Sequence, residues 1–144
     1  MKATVFDTAH YILSKMGEIS ALKLQKLVYY SQAWSLVWDD DTLFDSDFEA
    51  WVGGPVCVEL YERHKGQFKV NKDQINGNIK NLAAHNTETI NIVLDYYGNK
   101  NGQWLSDLTH MEEPWLEARK GLKSNERGNK KISLETMQQY YSSL

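Results

Sequence analysis

The first part of the chain carries two hydrophobic patterns of helical period. Over residues 3–16, apolar side chains recur at intervals of three and four, which predicts an amphipathic helix with one buried face. Gly17 suits the left-handed conformation that ends many helices. The Ser20 side chain can accept a hydrogen bond from an unpaired backbone N–H, so a second helix is predicted to begin there.

The second helix, about 20–38, has apolar residues on every side. Projected at about 100° per residue, its leucine, valine, tyrosine and tryptophan side chains leave narrow polar strips, one of which holds Gln25 and Gln32. A helix that is apolar all round is buried all round. We therefore predict that this segment is the central helix of the fold.

Turn signals and shorter apolar repeats divide the rest of the chain. A weak alternation is compatible with a short β-hairpin near 43–52, and Pro55 suits the first turn of a helix that runs to about His64. Residues 67–86 are predicted to be mostly loop. The later helices are predicted to begin at Asn86 or Thr87, Gln103, Glu113 and Ser133. The pattern predicts a mainly α fold, a single compact helical domain over residues 1–144.

Composition is that of a globular protein. The 144 residues include five Trp, eight Tyr and four Phe with 24% charged residues, which argues against intrinsic disorder. One cysteine cannot form an internal disulfide, so a disulfide-rich secreted class is excluded and a reducing cytoplasm is expected. No apolar run reaches the ~18–20 residues of a spanning helix, and residues 1–10 lack the apolar stretch of a signal peptide. We expect a cytoplasmic protein without a membrane partner.

Charge is balanced overall but uneven locally. Sixteen basic and nineteen acidic residues give a net charge of −3, which is not the basic footprint of a nucleic-acid-binding protein. Residues 27–62 contain eight acids and no base, whereas residues 119–131 contain six bases and one acid. Solvated loops are the simpler interpretation of both runs.

The motifs of common catalytic and phosphate-binding sites are missing from the sequence. There is no glycine-rich phosphate loop, no His-Glu-x-x-His, no Gly-x-Ser-x-Gly and no Cys-x-x-Cys. A helix dipole could lower the pKa of the Cys57 thiol, but a lone cysteine among valines and leucine is more often a small buried hydrophobe. Four scattered histidines lack the spacing of a metal site. We expect no catalytic residue, no metal and no cofactor.

A predicted helix-to-helix corner surrounds His110. Glu112, Pro114 and Trp115 follow it closely. In the structural interpretation, His110 bonds a neighbouring backbone group and Trp115 fills the core. Two functional interpretations stay open, namely direct recognition of a partner and an enzyme that uses His110 with Glu112 on a small substrate.

Aromatic side chains are concentrated in the acidic part of the chain. Eight lie between Tyr29 and Tyr61, and aromatics flanked by charge are typical of protein–protein hot spots. The alternative is that a central helix gathers rings. Three Tyr-Tyr pairs are predicted to have one buried and one exposed ring, because helix neighbours point about 100° apart. These pairs are Tyr29-Tyr30, Tyr96-Tyr97 and Tyr140-Tyr141.

Four segments resemble the Panacea-domain family, also called GepA or SocA-like phage-associated proteins. They are residues 22–34, 49–61, 105–115 and 132–141, with the motifs Leu24-Gln25-Lys26-Leu27, Gly54-Pro55, Thr109-His110, Pro114-Trp115 and Met137–Tyr141. Their order and spacing are similar to those of the family over nearly the whole chain. Val58 departs from a proline that the family often has, and residues 67–86 match no family motif.

The resemblance implies an antitoxin that neutralises a cognate protein toxin by direct binding. It also implies an alternative, a proteolytic adaptor that delivers a toxin to a cellular protease. Some members carry an additional DNA-binding domain, which we do not expect here. The residues expected to bind the partner or to shape its site are Tyr29, Tyr30, Trp34, Trp51, Pro55, Tyr61, His110, Pro114 and Trp115.

Overall fold

Helices dominate the computed structural model, which describes residues 2–144. In that range the seven α-helices are α1 (Val5–Met16), α2 (Ala21–Trp38), α3 (Val58–His64), α4 (Ala84–Tyr97), α5 (Gly102–Thr109), α6 (Glu113–Ala118) and α7 (Leu134–Ser142). The short strands are β1 (Ile19–Ser20), β2 (Glu49–Trp51), β3 (Gly54–Val56) and β4 (Lys69–Val70). β1 pairs with β4 and β2 with β3, both antiparallel. The predicted mainly α fold is confirmed.

The central position of α2 follows from its all-round apolar surface. Most of its side chains are buried, and α1, α4, α5 and α7 pack around it. The helix begins as predicted, because the Ser20 hydroxyl accepts a hydrogen bond from the Lys23 N–H at 3.0 Å. Its last residue, Trp38, emerges from the core and is 47% exposed. The prediction of a buried central helix over about 20–38 is therefore confirmed, with an open C-terminal end.

Two buried glutamines of α2 fasten the chain that follows the helix. Gln32 accepts a hydrogen bond from the Leu43 N–H at 2.7 Å and donates to the Phe44 carbonyl at 2.9 Å. Gln25 accepts from the Cys57 N–H at 2.9 Å and donates to the carbonyl of the same residue at 3.2 Å. Each amide thus satisfies a donor and an acceptor of buried backbone, so the polar strip predicted on α2 is used internally.

The β2–β3 hairpin, residues 49–56, lies slightly later in the chain than the predicted 43–52. The prediction that Pro55 opens a helix is wrong, since Pro55 lies in β3 opposite Ala50 and α3 begins at Val58. A proline fits a two-stranded edge, where its missing N–H breaks no ladder. The helix starts later because Gln25 holds both backbone groups of Cys57.

Residues 67–86 are mostly loop, as predicted, with β4 and two short 3₁₀ turns, Lys72–Gln74 and Ile79–Asn81. The helix after them begins at Ala84, two residues before the predicted Asn86. Asn86 still contributes to this start, because its side-chain oxygen accepts a hydrogen bond from the Ala83 N–H at 2.9 Å. The last helix begins after Ser133, as predicted, and Ser133 caps it.

One tyrosine pair follows the predicted division fully and a second follows it in part. Tyr96 is 70% exposed beside a buried Tyr97, and Tyr140 is half-buried beside a buried Tyr141. In the pair Tyr29-Tyr30 both rings are buried, so the prediction of one exposed ring is wrong there. The reason is that α2 is covered on all sides at this point.

Candidate functional site

Side chains from α5 to the end of α6 hold the β2–β3 hairpin by its backbone. Four successive carbonyl oxygens, those of residues 50–53, each accept a hydrogen bond from a different side chain. The pairs are Arg119 Nη1 to Ala50 (3.0 Å), Trp115 Nε1 to Trp51 (2.8 Å), His110 Nε2 to Val52 (2.6 Å) and Ser106 Oγ to Gly53 (2.5 Å). A three-residue strand pair is marginal alone, so these contacts give the hairpin its fixed position.

The underside of the hairpin rests on α2. Lys26 is completely buried, and its amino group donates a hydrogen bond to the Pro55 carbonyl at 2.9 Å. Gly54 has φ +116°, and a Cβ on it would lie 2.5 Å from Lys26 Cε and 2.9 Å from Thr109 Oγ1. Glycine is therefore required here both for its backbone conformation and for the close approach of the lysine.

The basic run, residues 119–131, folds along the outer edge of the hairpin. The Ala50 N–H donates to the Lys130 carbonyl at 2.8 Å, and the Ile132 N–H donates to the Phe48 carbonyl at 2.8 Å. Arg119 is buried and also donates to the carbonyls of Lys123 and Glu126. The interpretation of this run as a solvated loop holds for its exposed lysines but is wrong for Arg119.

His110 and Glu112 are bonded to different partners. His110 bonds Val52 and lies edge-on to the buried Trp115 ring, with centroids 4.2 Å apart. Glu112 points into the core, where one of its oxygens accepts hydrogen bonds from Tyr30 and Tyr141, each at 2.7 Å. The arrangement is that of the structural interpretation, and the His110–Glu112 pairing of the enzyme interpretation is not formed.

The buried carboxyl of Glu112 is the polar centre of a tyrosine cluster. The Tyr29 and Tyr141 hydroxyls are hydrogen-bonded at 3.1 Å, and the Tyr30 ring stacks on Tyr97 with centroids 4.1 Å apart. Burial raises the pKa of Glu112, although the two tyrosine hydroxyls oppose that shift. Tyr29 and Tyr30, predicted as candidate site residues, are thus internal to the fold.

Trp51 and Tyr61 border open space beside the hairpin. Their rings meet edge to face at 4.9 Å and line a cleft of about 710 Å³ together with Glu49 and Arg127. Trp51 is held in place by its indole N–H, which donates to Glu49 at 2.9 Å. Pro55 and Pro114, two further candidate residues, are buried in β3 and in the first turn of α6. Two of these four side chains therefore face a cleft.

Burial disfavours the charged form of Lys26 and lowers the pKa of its amino group to about 7. We expect the free energy of unfolding of Lys26→Met to be about 2 kcal/mol higher than that of the wild type at pH 6, because methionine removes a buried ammonium. Between about pH 7 and 10 the lysine is protonated in the unfolded chain but neutral in the folded protein, so the stability of the wild type rises with pH. The advantage of Lys26→Met in unfolding free energy therefore shrinks over this range. Urea unfolding at pH 6, 7, 8 and 9 measures this, and a constant difference across that range would contradict the assignment.

A second aromatic surface lies on the side of α2 that faces α4. Trp34, Trp38, Ile92, Val93, Tyr96, Tyr97 and Leu144 line a groove of about 310 Å³, which we call the aromatic groove. Trp34 is one of the residues that the sequence predicts at the site, and the Tyr96-Tyr97 pair predicts one exposed ring, whereas the exposure of Trp38 and Ile92 is not predicted. A signal exists in the sequence, since Ile92 and Tyr96 are four apart on one face of a helix.

The cysteine thiol, a metal site and a membrane-spanning helix can each be examined in the structure. Cys57 is fully buried, and burial raises the pKa of its thiol, which removes the expected effect of a helix dipole. Within residues 2–144, no group of three or more His, Cys, Asp and Glu side chains is placed to hold a metal ion. In the same range, no helix combines the length and apolar character needed to cross a membrane.

The model of one protein family, described as antitoxin SocA-like, Panacea domain, matches residues 24–116. The chain belongs to this family. The match begins in α2 and ends in α6, so it includes the hairpin and three of the side chains that hold its carbonyls. Comparisons with curated proteins and with solved structures find no match. Membership of the Panacea-domain family supports an antitoxin role and implies a toxin partner in general.

Proposed function

We propose that this chain is a cytoplasmic antitoxin that neutralises a cognate protein toxin by direct binding. Family membership is the observation that carries the proposal. We further propose that residues 1–144 act as one domain, because α1 and α7, which flank the family match, both pack on α2.

The use of the motif side chains supports binding as the mechanism. Ser106, His110 and Trp115 each bond hairpin backbone, and Glu112 is bonded inside the tyrosine cluster. These groups therefore position backbone and core, and none of the four lines the cleft beside the hairpin. Exposed aromatic and aliphatic side chains occur elsewhere on the described surface, among them Trp38, Ile92 and Tyr96, and protein–protein interfaces use such side chains as anchors.

Co-expression tests the proposal. The gene adjacent to the one for this chain is induced in bacterial cells with and without the chain, and growth is followed. We expect the neighbouring product to stop growth alone, and the chain to restore growth and copurify with that product. A version of the gene with an early stop codon is the matched control, and we expect it to fail, since neutralisation requires the protein.

Two outcomes would contradict direct neutralisation. If the neighbouring product is toxic and the chain neither restores growth nor copurifies with it, the proposal fails for that pair. If growth returns only in cells with an intact protease and the toxin disappears from them, the proteolytic adaptor is the better account.

A further inference from the structure

The aromatic groove is an exposed apolar surface with fixed walls. Trp38, Ile92 and Tyr96 are 47%, 51% and 70% exposed, so much of their apolar area meets water. Trp34 stacks on Trp38 with centroids 4.8 Å apart, and its indole N–H donates to the Tyr97 hydroxyl at 3.0 Å. Rings already held in position lose little conformational freedom when a partner binds, which favours affinity.

Three carboxylates lie close in the chain to residues that line this groove. Asp39 and Asp40 directly follow Trp38, and Asp95 lies three residues after Ile92 and next to Tyr96, on the same face of α4. Within the described residues none of these three forms an ion pair, whereas other acids of the same loop pair with Lys2 and Lys131. Asp39 and Asp40 accept hydrogen bonds from the neutral side chains of Thr89 and Gln138, and neither of these bonds brings a basic group to the carboxylate.

Lysines near the end of α4 do not neutralise this border. Lys23 donates to the Gly98 carbonyl at 2.6 Å, and the Lys100 amino group lies 4.8 Å from the centre of the Trp104 ring. The groove therefore combines an apolar floor with a negative rim. The matching surface on a partner is an apolar or aromatic side chain with lysine or arginine beside it.

We propose that the aromatic groove is the surface on which the toxin docks, through an apolar anchor flanked by basic residues. The inference rests on the proposed antitoxin function and names its contact surface. The hairpin cleft differs, because Glu49, Arg127 and Asn129 give it a mixed polar lining. In this account the hairpin stabilises the fold, and the end of α2 together with α4 recognises the partner.

Titration calorimetry with the purified product of the adjacent gene tests the groove. We expect a variant with Trp38→Ala and Tyr96→Ala to bind about 30-fold more weakly than the wild type, as the loss of hot-spot rings predicts. The matched controls are Phe68→Ala, which removes a 78% exposed ring elsewhere, and Val52→Ala at the tip of the hairpin. Both controls are expected to bind within about 3-fold of the wild type.

Ile92→Lys is a second variant, chosen because the side chain is half-exposed and its replacement costs little packing. We expect the added positive charge to repel the basic flank and weaken binding by at least about 10-fold. Wild-type affinity in both groove variants would overturn the inference while leaving the proposed function intact. A wild-type chain that does not bind the product at all would overturn both.

The acidic rim has its own measurement, the rate of association at low and high salt. Asp40→Asn with Asp95→Asn is expected to slow association by about 10-fold at low salt and to have little effect at high salt. Asp73→Asn with Asp107→Asn is the matched control, with the same change of charge at positions that are at least nine residues in the chain from any groove-lining residue. Equal slowing by both pairs would overturn the role of the rim.

Discussion

Gly54→Ala is expected to lower the free energy of unfolding by about 3 kcal/mol. The residue has φ +116°, where a side chain strains the backbone, and the new Cβ would lie 2.5 Å from Lys26 Cε. A flexible lysine could normally move away, but Lys26 is enclosed and bonded to Pro55. Moving it would leave a buried amino group without its acceptor. Urea unfolding followed by circular dichroism measures the loss.

The neighbouring glycine supplies the control for this substitution. A Cβ on Gly53 would have no heavy atom within 4 Å, and Gly53 lies outside the left-handed region. We expect Gly53→Ala to change stability by less than about 0.5 kcal/mol, as surface substitutions usually do. Equal losses in the two alanine variants would contradict the packing of the hairpin on Lys26.

Glu112→Ala is expected to cost about 3 kcal/mol at pH 7. The substitution leaves a cavity and removes the acceptor shared by Tyr30 and Tyr141, so that two buried hydroxyls lose a partner. Glu112→Gln is the matched variant, because its side-chain oxygen can accept both hydrogen bonds. We expect the glutamine variant to stay within about 1 kcal/mol of the wild type. Equal destabilisation by alanine and glutamine would contradict the role of this acceptor.

The pH dependence of Glu112 gives a separate test. Burial raises the pKa of this carboxyl in the folded protein above its ordinary value of 4.5. The folded state therefore holds the proton more tightly than the unfolded state. The resulting contribution of Glu112 to the free energy of unfolding is fully present below pH 4.5 and is lost as pH rises through the folded pKa. Glu112→Gln removes the ionisation, so its unfolding free energy should lack this decrease above pH 4.5. Parallel pH curves for the two proteins would contradict the raised pKa.

The helical part of the fold could be predicted because its sequence signals either act over a few residues or are compatible with only one arrangement of the helix. An apolar pattern on every side of residues 20–38 can be satisfied only by burial, and Ser20 and Ser133 cap helices through contacts three residues away. The exposed end at Trp38 could not be predicted this way. The helical period is the same there, and what differs is which elements cover that end of α2.

The bounds of the β2–β3 hairpin could not be predicted from the local sequence, for a related reason. Its strands have three residues each, too few for an alternating pattern to stand out, and the side chains that hold them come from more than fifty residues later. The local sequence predicts Pro55 in a helix because proline suits a first turn. The competing contacts, from Gln25 and Lys26, are visible only once α2 is placed beneath the hairpin. The helix-to-helix corner around His110 could be predicted from its own residues, but the backbone group that His110 bonds, the Val52 carbonyl, could not.

Indole N–H signals in a nitrogen–proton correlation spectrum test the central claim most directly. The five tryptophans report on separate places, with Trp34 and Trp38 at the aromatic groove, Trp51 and Trp115 at the hairpin, and Trp104 on α5. On titration with the product of the adjacent gene, we predict that the signals of Trp34 and Trp38 shift and that those of Trp51 and Trp115 stay in place. Shifts confined to Trp51 and Trp115 would contradict the account.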